Sequence, residues 1–195
     1  MTSNYTQEDY IKLTNINIFE EITPAVAERV VAQLQYADFW LKQKNVPAED
    51  RIITLQLCSP GGHIAAGLAI YDTMNYVDAK ISTVAIGMAA SMAAFLLAAG
   101  TKGLRKITEH SEVMIHQPLG GASGQASDIE IACKHIVRTR TLINRILSDN
   151  TGQPISKIRR DCDRDNIMTA QQAYEYGLVD EIIRPSEKAY TGGKL

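Results

Sequence analysis

Residues 81–100 read ISTVAIGMAASMAAFLLAAG, and between Val84 and Gly100 only Ser91 carries a polar hydrogen-bonding side chain. A stretch this apolar has to be buried, so the rest of the fold must be built around it. It is too short to cross a bilayer and a glycine interrupts it, which excludes a membrane span. The lone hydroxyl has two readings. A small serine can fill a tight helix-packing site and bond to a carbonyl one turn back. Alternatively, its oxygen is a nucleophile held where a strand turns into a helix. Taken alone, the first is the more economical.

The flanking pattern favours alternating strands and helices. Thr23 before Pro24 is a helix start, a capping hydroxyl followed by proline at the first helical position. Val26, Val30, Leu34, Ala37 and Leu41 then mark one helical face to about Lys44. RIITLQL (51–57) is β-rich, CSPGGH (58–63) is a turn, and a helix follows to about Tyr76. ISTVAI (81–86) is the next strand, with a turn at GMAA and a helix from Ser91 to about Ala99. Leu104–Ile107 and Glu112–Ile115 are candidate strands, and HQPLGGASG (116–124) is a glycine-rich loop. A polar-faced helix fills 125–149, another starts near Ile155, and Thr169 caps one at 170–176. LVDEII (178–183) is a last strand, and the tail from Pro185 reads as loose. This order predicts a single α/β domain over 1–195, with short strands buried on both faces.

Charge and cysteine content narrow the function classes. With 20 basic and 22 acidic residues, nothing points to nucleic acid or an anionic membrane as partner. Cys58, Cys133 and Cys162 lack metal or CxxC spacing and read as reduced thiols of a cytoplasmic protein. MTSNYTQEDY lacks the basic start and apolar core of a signal peptide.

In such a fold the loops leaving strand ends carry the chemistry. Three of these loops hold SPGG, GMAAS and His116 after VMI, and together they revive the nucleophile reading of Ser91. A serine needs a base, the base an orienting carboxylate, and the tetrahedral intermediate N–H donors. Of four histidines, His135 sits on a solvated helix face, His110 in a polar turn, and His63 beside two glycines. His116 ends an apolar run and opens the glycine loop, so it is both held and exposed; it is the expected base. SPGG supplies backbone near a helix start, with Gly62 the first expected oxyanion donor and Met92 the second. For the acid, Asp161, Asp163 and Asp165 of DCDRDN all remain open. The order Ser, His, Asp and the absence of GxSxG and SxxK exclude α/β-hydrolases and SxxK hydrolases.

SPGG, GMAASMAAFLLAAG, VMIHQPLGG and DRDNIMTAQQAYEYGLVDEII together resemble the ClpP family, the proteolytic subunits of caseinolytic (Clp) proteases, from about Arg51 to Ile183. The resemblance implies Ser91 as nucleophile, His116 as base and Asp165 as orienting acid, with Gly62 and Met92 as oxyanion donors. It implies a crotonase-like spiral of ββα units with 125–149 as a projecting handle helix. It also implies stacked heptameric rings enclosing a chamber and fed by a Clp-family AAA+ ATPase. The subunit itself then needs no cofactor or metal, because ATP is used by the unfoldase. Leu119, Gly120 and Gly121 would offer backbone to an extended, unfolded polypeptide substrate. Asp163 and Arg164 would bridge the rings.

The chain departs from the family pattern in places. INIF (16–19) arrives too soon for a full axial segment of the kind that contacts the ATPase, and IFEEI lacks the following glycine of the family's FLxGxI. Cys58, Met88 and Ala93 replace the usual asparagine, glutamine and glycine, and Glu112 stands where a basic residue is common. The expectation is a divergent paralogue with an intact triad. Two other readings are a weakly active or structural subunit of a mixed ring with a paralogue, and a crotonase-like acyl-CoA enzyme. The three assembled catalytic residues weigh against the last.

Overall fold

The apolar segment forms the axis of the molecule. The structure, a computed structural model, describes residues 6–184, so the tail expected to be loose lies outside the described residues. Strand β3 (Lys80–Ala90) runs through most of the segment and α4 (Met92–Ala98) completes it, with every residue of α4 buried. The parallel sheet is ordered β1 (Asn15–Ile18), β2 (Ile52–Ser59), β3, β4 (Arg105–Thr108) and β7 (Glu181–Ile183). Off this path, β5 (Glu112–Ile115) pairs with β3 and β6 (Asn166–Thr169) pairs with β5.

The turn expected at GMAA is a bulge instead. Leu57 pairs with Ala85 but Ser59 pairs with Ala89, so β3 carries extra residues where Gly87 adopts φ +78°. Glycine is needed there because that backbone conformation disfavours a side chain. Before the bulge β3 pairs with β4, and after it with β5. Opposite β2, one long strand thereby serves two partners in turn and delivers Ser91 at its end.

The helices explain why the sheet is not buried on both faces as expected. α2 (Pro24–Gln43) and α3 (Ile64–Tyr76) pack against each other, and α3 and α2 share the core with α4 and the inner face of the sheet. Val30, Leu34, Ala37 and Leu41 are fully buried, as their spacing predicts. On β2, however, buried and half-exposed residues strictly alternate, with Thr54 and Gln56 on the outer side. Helical crossovers that land on one side leave the other face to polar or half-exposed residues.

α1 (Gln7–Thr14), β1 and β6 were not expected as elements from the sequence. α1 begins with a capping box in which Thr6 and Asp9 exchange bonds, which holds the Asp9 carboxyl below its usual range. β6 occupies residues to which the sequence assigned no element beyond Thr169 as a helix cap. The final strand is confined to Glu181–Ile183, because Leu178 and Val179 turn into the core after Gly177. The long helix α5 (Ala126–Thr151) matches the expected handle. Only Ile143, Asn144 and Leu147 are buried on it, so its first half projects from the body. α6 (Ile155–Asp161) and α7 (Ala170–Tyr176) complete the chain's described helices.

One ion pair ties the far edge together. Arg105, almost wholly buried, donates from Nε and Nη2 to the two oxygens of Asp180 at 2.9 and 2.6 Å, and from Nη1 to the carbonyls of Ala98 and Asn150. Burial raises the Asp180 pKa, but the Arg105 side chain and the backbone N–H groups of Arg105 and Gly103 outweigh it and hold the carboxyl below its usual range. Asp180→Ala, which leaves a buried guanidinium unpaired, is expected to cost about 3–5 kcal/mol in chemical denaturation at fixed protein concentration. A depressed carboxylate stabilises the fold above its unfolded pKa. This contribution is therefore lost as pH falls through the lower folded value, and the acid sensitivity should be weaker in the variant.

Candidate active site

Ser91 stands between β3 and α4 with φ 55° and ψ −119°, one of only two positive-φ residues other than glycine among the described residues. A side chain in that region is strained, and such strain gathers at functional sites. The turn is held from several sides. The Ser91 N–H donates to the Met114 carbonyl at 2.8 Å, and the Ser91 carbonyl accepts from Phe95 N–H at 3.1 Å. Gly61 lies against the turn so closely that a Cβ there would come within 2.6 Å of the Ala90 carbonyl and 2.7 Å of Ser91 Cβ. The glycine of SPGG is thus a requirement of close packing. The hydroxyl does not bond back to a carbonyl within its helix, so the packing-serine reading fails.

His116 and Asp165 meet through strand register. β5 and β6 are antiparallel, with Ile115 opposite Asn166. One step beyond that pair, at the end of the ladder, His116 faces Asp165. His116 Nδ1 lies 3.1 Å from Asp165 Oδ1, and Nε2 lies 2.8 Å from Ser91 Oγ. A carboxylate can only accept, so Nδ1 carries the proton and donates to it. Nε2 then accepts from the Ser91 hydroxyl, the tautomer a general base needs. The His116 side chain is 15% exposed and that of Asp165 70% exposed.

Of the other two aspartates of DCDRDN, Asp161 has its carboxylate engaged elsewhere and Asp163 is bonded through its main-chain carbonyl. Asp161 accepts from Lys157 at 2.8 Å, Arg160 at 3.2 Å and the Tyr176 hydroxyl at 3.0 Å. Burial raises its pKa, but the bonds from Lys157 and Tyr176 prevail and keep it below the usual range. The Asp163 carbonyl accepts from Gln117 Nε2 at 2.8 Å, which ties the Asp165 turn to the residue after the histidine. Asp163 and Arg164 themselves are exposed and make no ion pair among the described residues. Cys162, between them and Asp161, is buried and its thiol is pushed up to about 11, so it stays an inert core residue.

The expected oxyanion donors share a cavity of about 260 Å³ with Ser91 and His116. Gly62 and Met92 both line it, and no partner takes either N–H among the described residues. The loop carrying Gly62 is anchored by contacts the sequence did not reveal. Ile22 N–H donates to the Gly61 carbonyl at 2.7 Å and the Ile22 carbonyl accepts from His63 N–H at 2.8 Å. Ser59 Oγ donates to the Glu20 carbonyl at 2.6 Å and accepts from Gly61 N–H at 3.1 Å. A serine buried at a strand end just before two glycines was the available signal for this clamp. Met92 is oriented by its side chain, which lies directly over Gly67 of α3.

The remaining wall of the cavity is apolar. Phe95, Ile143 and Leu147 form its floor, and Pro118 and Leu119 its rim. Leu119 is 80% exposed, and Gly120 and Gly121 are also exposed and unpaired by any strand, lying beside the cavity where an extended chain could reach their backbone. Of the other histidines, His135 is exposed on α5 and His110 is exposed in a turn, as expected, while His63 precedes α3 near Gly62. Among the described residues, no group of three or more metal-ligating side chains occurs and no helix is long and apolar enough to cross a membrane.

Because Gly61 leaves no room for a methyl group, Gly61→Ala is expected to displace the Ser91 turn. The variant should lose at least about 10²-fold in peptide turnover, the scale of losing an oxyanion donor, while far-ultraviolet circular dichroism stays unchanged.

Residues 2–186 match the model of the family described as Clp protease. The chain is also 50% identical, over 173 residues, to an ATP-dependent Clp protease proteolytic subunit of Ligilactobacillus salivarius (strain UCC118); the alignment covers 89% of this chain and 84% of that protein. With the parallel sheet, the strand-to-helix turn at Ser91 and the projecting α5 already described, these matches establish that the chain belongs to the Clp protease family.

Proposed function

We propose that Ser91, His116 and Asp165 are the catalytic residues of this Clp-type serine endopeptidase. The observation that carries the reading is the unbroken bond series from Asp165 Oδ1 through His116 to Ser91 Oγ, at 3.1 and 2.8 Å. Ser91 Oγ attacks a peptide carbonyl carbon while its proton passes to His116 Nε2. Asp165 keeps the proton on Nδ1 and stabilises the resulting imidazolium. The Gly62 and Met92 N–H groups receive the developing oxyanion. The C–N bond then breaks as His116 returns its proton to the leaving amine. Water, deprotonated by the same imidazole, cleaves the acyl-enzyme and frees Ser91. No step calls for a cofactor or a metal.

The apolar floor of Phe95, Ile143 and Leu147 suits the side chain of the residue whose carbonyl is attacked, and favours medium and large apolar residues there. Leu119, Gly120 and Gly121 offer main-chain groups to an extended substrate, a recognition mode that reads backbone and suits unfolded polypeptides. The protein works as a self-assembled particle of stacked heptameric rings. Ile129, Ile131, Val137 and Leu142, exposed on the projecting α5, support self-association through the handle, and the exposed Asp163 and Arg164 are free to bridge rings. A Clp-family AAA+ ATPase delivers substrates in the cytoplasm and spends the ATP. A mixed ring with a paralogue remains a second assembly only if the homogeneous particle proves inactive.

A fluorophosphonate probe is expected to label Ser91 in the assembled particle, and Ser91→Ala to abolish both labelling and peptide turnover. Absence of labelling in particles shown by mass to be fully assembled overturns the reading. Asp165→Asn keeps the shape but weakens the hold on the Nδ1 proton. It is expected to lower kcat by about 10²-fold with little change in KM.

A further inference from the structure

His63 and His135, neither of which the mechanism uses, come from distant parts of the chain yet line one cavity. His63 immediately precedes α3 and His135 lies on α5, and between them Ile64, Leu68, Ile136 and Thr139 border a half-open space of about 380 Å³. Among the described residues, the two imidazoles are the only ionisable side chains in its lining. The cavity adjoins the catalytic one, because Gly62, Ile64, Pro118 and Leu119 border both. From the serine, therefore, a substrate strand passes the same rim to reach either space.

The spacing fits an extended peptide. Ile143 floors the catalytic cavity and Thr139 and Ile136 floor the second, all on one side of α5. One turn separates Thr139 from Ile143, about 6 Å along the helix. In an extended chain, side chains two residues apart point the same way and stand about 6.7 Å apart. A peptide whose attacked residue fills the first cavity can thus place a side chain two residues away in the second.

We propose that this second cavity is a substrate subsite for the side chain two residues to the amino side of the attacked residue, and that His63 and His135 make it select acidic side chains. The proposal rests on the serine endopeptidase reading of Ser91. Imidazole is the side chain that changes charge near neutral pH, so the selection strengthens as the medium becomes acidic. The charges near the pair include Glu21, whose side chain packs against Gly62 beside His63. Glu28 of α2 meets His63 across a separate groove, Lys134 of α5 is paired with Glu130 at 2.6 Å, and Arg138 lies outside the cavity lining. A glutamate would therefore find apolar walls for its methylenes and two imidazole rings for its carboxylate.

The test compares fluorogenic peptides carrying Glu or Gln at each position around the cleaved bond, turned over by the assembled particle. Using the Glu/Gln ratio of kcat/KM at each pH cancels the titration of the catalytic groups. The expected ratio is about five at about pH 6, at the position two residues before the attacked one, and close to one at about pH 8. His63→Gln and His135→Gln, made singly and together, should each reduce the ratio at the lower pH while turnover of the Gln peptide is retained. Uniform cleavage of Glu and Gln peptides, a preference at a different position, or a ratio unmoved by both variants overturns the subsite and leaves Ser91 catalysis standing. A wild-type particle that cleaves none of the peptides overturns the Ser91 reading and the subsite with it.

Discussion

The site depends on one antiparallel step in an otherwise parallel sheet. β5 pairs parallel with β3 and antiparallel with β6, so strand ends from three distant parts of the chain arrive at one edge. Register then does the rest. The ladder that sets Ile115 against Asn166 sets His116 against Asp165, and the bond from Ser91 N–H to the Met114 carbonyl sets the hydroxyl one strand away. Backbone hydrogen bonds fix spacing to a few tenths of an ångström, a precision that side-chain packing alone rarely reaches. No long-range electrostatic guidance is needed to bring imidazole and carboxylate together.

The strained serine illustrates how such a centre is kept in place. Holding a residue other than glycine in this part of backbone space costs about 1–3 kcal/mol, and it persists only when the surroundings over-determine it. Here the surroundings are the most apolar part of the chain. α4 is buried throughout, Phe95 packs at a tilt against Tyr71 with ring centroids 5.1 Å apart, and Gly61 closes the turn from above. The long apolar run around a single hydroxyl is the sequence trace of that arrangement.

Much of this was legible beforehand because chemistry-bearing residues sat next to strong structural punctuation. Ser91 lay between a β-branched run and a helix-forming run, His116 between VMI and glycines, and Gly62 in SPGG. The acid was different. Asp161, Asp163 and Asp165 are equivalent as charges, and residue pattern alone left all three open until family resemblance chose Asp165. What separates them in space is β6, a four-residue strand defined by its pairing with β5 and too short to show a period. The bulge in β3 escaped notice for the opposite reason: a glycine between two apolar residues reads as a turn unless the partner strand is known. The one-sided sheet and the clamp at Ile22 are likewise tertiary facts. Alternation along β2 is blurred because Ile52 and Cys58, on its open side, are apolar too.

Asp165 has one further consequence. With 70% of its side chain in contact with solvent, this carboxylate sits in a medium where Coulomb attraction is feeble and dissolved ions shield it. A deeply buried acid grips its imidazole by charge, whereas this one is presented by a strand. The alignment of the imidazole is therefore a mechanical property of the sheet edge, transmitted by main-chain bonds, and anything that pries β6 from β5 breaks the Asp165–His116 bond without touching Ser91.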